Sequence, residues 1–295
     1  MELVLNEFWA AMSTRPEIEY EIILVNDHSP DNTWDTIKEI AKKHPEITCV
    51  NFSKNFGQPS ALLAGFSLTK GEYIFTSDDD GQCPVGEVFR FWEELDKGYD
   101  VVCAKYETRN QSSVTRRMGT RVNEWMTKVI LKKPDGVSLA SFFMAKRFVI
   151  DAMLAYKNPY PYIAGLLLRT TFNIGNVTLE QRKRAAGHSG YNYKKLLKLW
   201  VNGFTAFSVI PLRIASFLGL ICSGIGLITT VVVIVNKLLN PAVVAGWSSL
   251  LAVTLILGGL ILLVLGMIGE YVGRIYLCIN HSPQYVIREI YTQNT

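Results

Sequence analysis

Two long stretches without a charge, close together near the C-terminal end, constrain this chain more than any other feature. Ile214 to Val235 gives 22 uncharged positions and Pro241 to Gly269 gives 29 more. About 20 apolar residues in a helix cover the hydrocarbon thickness of a bilayer, so each stretch is long enough to span one. A buried core helix of that length normally keeps a polar stripe, and these two are apolar on every side. Mean hydropathy over the whole chain is only +0.17, so the apolar character is concentrated here. The sequence predicts two transmembrane helices, at about 214–235 and 243–269, within a segment spanning 213–272.

Only Asn236 to Asn240 separates the two runs, so they form a tight hairpin with both ends on one side. Arg182, Lys183, Arg184, Lys194, Lys195, Lys198 and Arg213 precede the hairpin, Arg274 and Arg288 follow it, and the connecting loop has Lys237 alone. Positive residues stay cytoplasmic. The expectation is a multi-pass protein of the cell (inner) membrane, with residues 1–213, the tail 273–295 and both termini in the cytoplasm. The net charge of +4 is mild, and its excess sits beside the bilayer. That pattern suits anionic headgroups or a phosphorylated lipid and argues against a nucleic acid partner.

Cys49, Cys83, Cys103, Cys222 and Cys278 show no CxxC pair and no metal-type spacing with His, as expected of reduced, mostly buried cytosolic thiols. Glu2 and Glu7 interrupt the first 12 residues, so no cleavable signal peptide is expected there. Two spans alone make a poorly buried membrane unit, and a homo-oligomer would cover them.

The first 180 residues alternate short β-like runs with helical patterns, the signature of an α/β domain with a mostly parallel sheet. Strands are predicted at Tyr20 to Val25, Ile47 to Phe52, Tyr73 to Ser77 and Tyr99 to Ala104. Each is apolar along most of its length, as when helices cover both faces. Helices are predicted from Asp31 or Asn32 to about Lys43, from Gly57 to Leu68, from Val85 to Leu95 and from about Arg116 to Leu131. Leu5, Phe8, Trp9 and Met12 recur at helical spacing, so the chain opens on a helix. Leu196, Leu197, Trp200, Val201 and Phe204 do the same beside three lysines, giving an amphipathic juxtamembrane segment over 191–212 or an ordinary packing helix.

Two polar clusters fall at the ends of predicted strands. Asp78, Asp79 and Asp80 follow Ser77 and lead into Gly81 and Gln82. Carboxylates crowded at the carboxyl end of a strand repel one another unless a cation sits among them. A hard divalent ion bridging two phosphates resolves that repulsion; a solvated turn is the plainer alternative. Asn26, Asp27, His28 and Ser29 follow Val25, and a strand-to-helix turn with an Asx cap accounts for them without a ligand. A carboxylate at that place can also accept hydrogen bonds from a base or ribose.

In their order these clusters resemble the inverting family-2 glycosyltransferases, in the branch of dolichyl-phosphate mannose synthases and polyprenyl-phosphate (bactoprenol) glucosyltransferases. The matching segments are Val25 to Ser29, Ser53 to Gln58, Asp78 to Gln82, Arg184 to Tyr191 and Pro211 to Arg213. Gly269 to Tyr276 after the second span adds a sixth. The resemblance implies an α/β, GT-A-like, doubly wound, mostly parallel sheet domain over 1–190, followed by the transmembrane hairpin. It implies hexose transfer from a UDP- or GDP-sugar to a polyprenyl (undecaprenyl) phosphate at the cytoplasmic membrane face, feeding cell-envelope glycan or glycolipid modification.

By the same resemblance Asp80 binds Mg²⁺ or Mn²⁺, Asp78 contacts the ribose or shares the metal, and Gln82 completes that shell. Asp27 contacts the base. Arg116, Arg117 and Arg121 reach the acceptor phosphate, and Arg184 and Ser189 close over the diphosphate and acceptor as catalytic residues with Asp80. Three positions depart from the pattern. Ser141, Phe142 and Phe143 stand where relatives have Asp-Phe-Arg, so no carboxylate base is expected there. Asn26 replaces an Asp. The domain's first strand is expected to be missing before Met1, which leaves open a start further upstream or a transferase with weakened donor binding.

Other readings are a catalytically impaired membrane scaffold with an incomplete donor site and a processive polysaccharide synthase. Against the synthase, Gln181-Arg182-Lys183-Arg184 is followed by Ala185 instead of Trp, and two spans are too few for a polymer channel. A small transporter is disfavoured because the two spans hold no ionisable residue.

Overall fold

The computed structural model describes residues 1–106, 128, 133–159, 161–180, 182, 210–239, 246–280 and 282–293. The chain divides into two compact units, one of Met1–Leu199 with His281–Thr295 and one of Trp200–Asn280.

The first unit opens on the predicted helix, α1 (Glu2–Met12). Strand β1 (Ile22–Asn26) leads to α2 (Thr33–Ala41); the Asp31 carboxylate accepts the Thr33 N–H at 3.2 Å in an Asx turn before the helix, whose N-cap, Asn32, makes no side-chain cap hydrogen bond. Strand β2 (Ile47–Phe52), α3 (Gln58–Leu68) and β3 (Tyr73–Phe75) follow. A 3₁₀ turn at Val85–Glu87 runs into α4 (Val88–Asp96), and β4 (Val101–Tyr106) comes next. Four further elements follow that the sequence did not predict, β5 (Phe143–Lys146), α5 (Arg147–Leu154), α6 (Ile163–Thr170) and β6 (Ile174–Leu179), and a fifth, also unpredicted, comes from the C-terminal tail.

The strands form two sheets, in the orders β1-β2 and β3-β5-β4-β6, and the first gains a third member from the C-terminal tail. The expected mostly parallel sheet is corrected: pairing is mixed, and the strands divide between two sheets. Parallel pairing holds for β1 with β2 and for β4 with β6. Strand β5 runs antiparallel to both of its neighbours, Tyr73 facing Lys146 and Val101 facing Ala145, because it enters the gap between two strands that share a direction. Strands β1 and β3 each end a sheet, and among the described residues no strand pairs with the outer edge of either.

Side chains tie the two sheets where backbone ladders do not. Before β1, the Glu21 carboxylate accepts the N–H of Lys70 and, at 3.0 Å, that of Gly71, just before β3. Helix α1 belongs to both cores. Met1 and Trp9 pack with Ile37, Ile47 and Cys49 against β1 and β2. Val4, Phe8 and Met12 pack with Phe91, Val102, Phe142 and Met144 against the second sheet. Phe75, Phe91 and Phe142 interlock there with ring centroids 5.0 to 5.3 Å apart. The five cysteines are free, with Cys49, Cys83 and Cys103 buried. Burial pushes the Cys49 thiol up to about 11 and that of Cys103 to about 12, so both behave as small apolar side chains.

The second unit holds two long helices, α7 (Ile210–Leu239) and α8 (Trp247–Ile279). Among the described residues one stretch, Ile256–Ile279, is long and apolar enough to cross a membrane, with mean hydropathy 2.0. Ala215–Gly226 is a shorter apolar stretch. Helix α8 runs ten residues past the predicted end of the second span, so Gly269 to Tyr276 is helical. Leu250, Ile256, Leu262 and Leu265 are each more than half exposed along it. Thr229 and Thr254 donate to the carbonyls four residues back, which satisfies their hydroxyls within the helix.

The chain then returns to the first unit. Strand β7 (Ile287–Thr292) pairs antiparallel with β2, Cys49 facing Tyr291 and Asn51 facing Glu289. The Gln284 amide donates to the carbonyls of Tyr156 and Asn158 at 2.8 Å. Tyr285 stacks on Phe52 at 5.5 Å with its ring 6° from parallel, and its hydroxyl meets Ser67 at 3.4 Å. Replacing Tyr285 with Ala is expected to lower the unfolding free energy of this unit by about 1–2 kcal/mol. Urea unfolding measures it; an unchanged midpoint would mean that the tail is not seated on the sheet.

Candidate functional site

The carboxyl ends of β1 and β3 carry the two acidic clusters, and one turn connects them. After β1, Asp27 extends both carboxylate oxygens to the turn between β2 and α3: Phe56 N–H donates to one at 2.7 Å and Gly57 N–H to the other at 2.8 Å. Asn55 closes the contact by donating its side-chain amide to the Asp27 carbonyl at 3.1 Å. The next residue, Gln58, donates from Nε2 to Asp78 Oδ1 at 2.6 Å. A single turn thus holds an acid from each sheet.

That geometry needs unusual backbone. Gly57 has φ +90° and ψ 156°, a region open essentially to glycine alone. His28 lies in the left-handed region at φ 56°, which lets the chain bend sharply after β1. Asn26 is 5 % exposed; its side-chain amide donates to Asn51 Oδ1 at 3.0 Å and its oxygen accepts the Ser29 N–H at 3.1 Å. A neutral residue suits that place, because a carboxylate would bury a charge against a neutral partner.

Asp78 also accepts from Ser141 Oγ at 3.3 Å, on the segment leading into β5. Burial raises the Asp78 pKa above the ordinary carboxylate range, and the charges of Asp80 and Asp79 add to the rise, opposed by the bonds from Gln58 and Ser141. Burial also raises Asp27, opposed by the two backbone N–H groups. Asp80 Oδ1 accepts the Gln82 N–H at 3.0 Å, and Gln82 Nε2 donates to the Arg182 carbonyl at 3.4 Å. Glu7 of α1 buttresses this loop by accepting the Gly86 N–H at 3.1 Å and pairing with Arg182 at 2.7 Å.

No three His, Cys, Asp or Glu side chains converge as a metal-holding group among the described residues. Asp78 and Asp80 nonetheless lie near enough for their charges to interact, and their oxygens suit a hard cation that takes the rest of its shell from water or phosphate.

Residues 2–154 match the profile of Glycosyl transferase family 2, more than half of the 295 residues. The chain belongs to glycosyl transferase family 2. A family 2 relative, the "Uncharacterized glycosyltransferase YkcC" of Bacillus subtilis (strain 168), is 33% identical over 98% of this chain and 91% of its own length. The SfII prophage-derived bactoprenol glucosyl transferase of Shigella flexneri is 30% identical over 94% of this chain and 89% of its own. The undecaprenyl-phosphate 4-deoxy-4-formamido-L-arabinose transferase of Proteus mirabilis (strain HI4320) is 31% identical over 93% and 85%. The solved glucosyl-3-phosphoglycerate synthase of Mycobacterium tuberculosis, in complex with Mn²⁺, UDP-glucose and phosphoglyceric acid, is a looser likeness, with a TM-score of 0.47 and 17% identity over 68% of this chain and 73% of that one.

Of the site residues expected in this family 2 chain, Asp27, Asp78, Asp80 and Gln82 are described, and the turn of Phe56 to Gln58 links the first two. Arg116, Arg117, Arg121, Arg184 and Ser189 lie outside the described residues. Sequence reasoning assigned no role to Gln58 or to Glu7, and it treated Ser141 only as a lost carboxylate. Their partners lie 20, 79 and 63 residues away, so no local spacing could have exposed them.

Two expectations follow. Gly57→Ala should cost about 1–3 kcal/mol from its φ alone, since the nearest neighbour to an added Cβ is 3.9 Å away; chemical denaturation reads it, and a neutral substitution would refute the strained turn. An acid with a raised folded pKa stabilises only while protonated, and it loses that contribution as pH rises from its unfolded value through its folded one. Asp78→Asn should therefore raise the melting temperature at pH 7 without divalent ions, with the gain vanishing near pH 4. A melting temperature unchanged at pH 7 would count against the crowding of charge at this site.

Proposed function

We propose that this protein transfers a hexose from a UDP- or GDP-sugar to a polyprenyl phosphate such as undecaprenyl phosphate at the cytoplasmic membrane face, with inversion at the anomeric carbon. One observation carries the proposal: Asp78 and Asp80 crowd the carboxyl end of β3 in a chain that matches, along nearly its whole length, relatives named for transfer to bactoprenol or undecaprenyl phosphate.

Asp78 and Asp80 would hold Mg²⁺ or Mn²⁺, with Gln82 contributing its amide oxygen. When bound, the ion supplies positive charge against the donor's diphosphate. Asp27 has both oxygens engaged with Phe56 and Gly57, yet each carboxylate oxygen has a second lone pair that can accept from a base or ribose. Arg116, Arg117 and Arg121 are assigned to the acceptor phosphate, and Arg184 and Ser189 to the diphosphate and acceptor. A lipid phosphate is anionic at neutral pH and can attack the anomeric carbon without a strong protein base. Position and charge are what remain for the enzyme to supply. Ser141 in place of a carboxylate is compatible with that division of labour.

The membrane part of the proposal is a two-helix anchor made of α7 and α8. Its support is the length and apolar surface of α8 together with the path of the chain. The chain leaves the first unit after Leu199 and returns to it from His281 on, and β7 then joins the sheet. A pair of spans joined at both ends to one folded unit keeps that unit on one side of a bilayer, and the flanking arginines and lysines favour the cytoplasm.

Membranes carrying the protein, supplied with undecaprenyl phosphate and labelled UDP-glucose, UDP-galactose, UDP-N-acetylglucosamine or GDP-mannose, should yield lipid-soluble label from one donor in the presence of Mg²⁺. Asp80→Ala should reduce that signal at least about 100-fold. Label that forms equally well in the Asp80→Ala protein would sink the assignment, and none from any donor would favour a silent scaffold.

A further inference from the structure

Each oxygen of Asp78 carries a donor from a different element. Gln58 Nε2 comes from the first turn of α3 at 2.6 Å, and Ser141 Oγ comes from the approach to β5 at 3.3 Å. Neither donor is charged. Both are themselves fixed: the Ser141 carbonyl accepts from Thr76 Oγ1 at 2.6 Å, and Thr76 is buried and bonded through its N–H to Phe143 at 2.9 Å. Gln58 follows Gly57, whose N–H is anchored on Asp27.

A carboxylate beside Asp79 and Asp80 lowers its energy by turning away from their charge unless something holds it. Gln58 and Ser141 are what hold it here. Two neutral donors hold it and leave that charge in place. We propose that Gln58 and Ser141 are positioning residues for the cation: they fix the Asp78 carboxylate beside Asp80 and preserve its negative charge. The inference rests on the reading of Asp78 and Asp80 as the cation-holding pair.

The test titrates Mn²⁺ into the full-length purified protein and follows free Mn²⁺ by electron paramagnetic resonance, with thermal unfolding of each variant recorded without metal. Gln58→Leu should weaken Mn²⁺ binding about 10-fold and Ser141→Ala somewhat less, as loss of supporting hydrogen bonds to metal ligands does. Ser141→Thr, which keeps the hydroxyl, should bind like the wild type. Gln58→Met keeps the side-chain length and loses only the donor, so it should bind Mn²⁺ as weakly as Gln58→Leu while its unfolding without metal stays at the wild-type midpoint; a purely structural role predicts that binding and stability fall together. Should Gln58→Leu fail to fold, the Gln58→Met and Ser141→Thr results decide. Wild-type binding in Gln58→Leu and Ser141→Ala overturns this inference alone, whereas a wild-type protein that binds no Mn²⁺ overturns the metal reading and this inference together.

Discussion

The turn from Asn55 to Gln58 is the constraint on which the site depends. Two sheets meet without a shared backbone ladder, and side-chain hydrogen bonds link the segments that flank their terminal strands. At one end Glu21 receives two amides from the turn before β3. At the other, the turn after β2 donates two backbone N–H groups to Asp27 and one side-chain amide to Asp78. A hydrogen bond to an ionised carboxylate is about twice as strong as a neutral one, so a few such contacts can do what a short ladder would. The conformation of Gly57 makes this possible, because it lets consecutive residues point their donors at acids on separate strands.

Charge management follows from the same architecture. Asp78 lies in a partly desolvated place beside two further acids, so its ionised form is held at a cost in stability. The two side chains that donate to it, Gln58 and Ser141, are neutral. Arg182, whose carbonyl accepts from Gln82 of this loop, has its guanidinium engaged by Glu7 of α1. On the proposed reading of the cluster as a cation site, function and stability pull against each other at this point.

The helical unit and the tail add a topological constraint. Strand β7 fills the β2 edge that would otherwise present unpaired backbone groups. It also returns the chain from α8 to the sheet it left, so the two ends of the helical pair belong to one folded unit. Stacking of Tyr285 on Phe52 fixes the entry to that strand in the core beneath α3.

The sequence by itself determined the elements whose signal is local. Apolar spacing gave α1, the uncharged runs gave α7 and α8, and continuous apolar runs gave β1 to β4 within two or three residues. The acidic clusters at strand ends were legible too, because their meaning comes from the strand they follow. Strands β5, β6 and β7 escaped, since each owes its existence to partners 40 to more than 200 residues away and only its pairing makes it a strand. Tertiary structure alone decided that the sheet is mixed and split, that Gln58 and Ser141 serve Asp78, and that Asp27 anchors a turn with both of its oxygens. The reason is the same in each case: periodicity records which face of a segment is apolar, whereas a hydrogen bond between distant residues depends on where the finished fold brings their atoms.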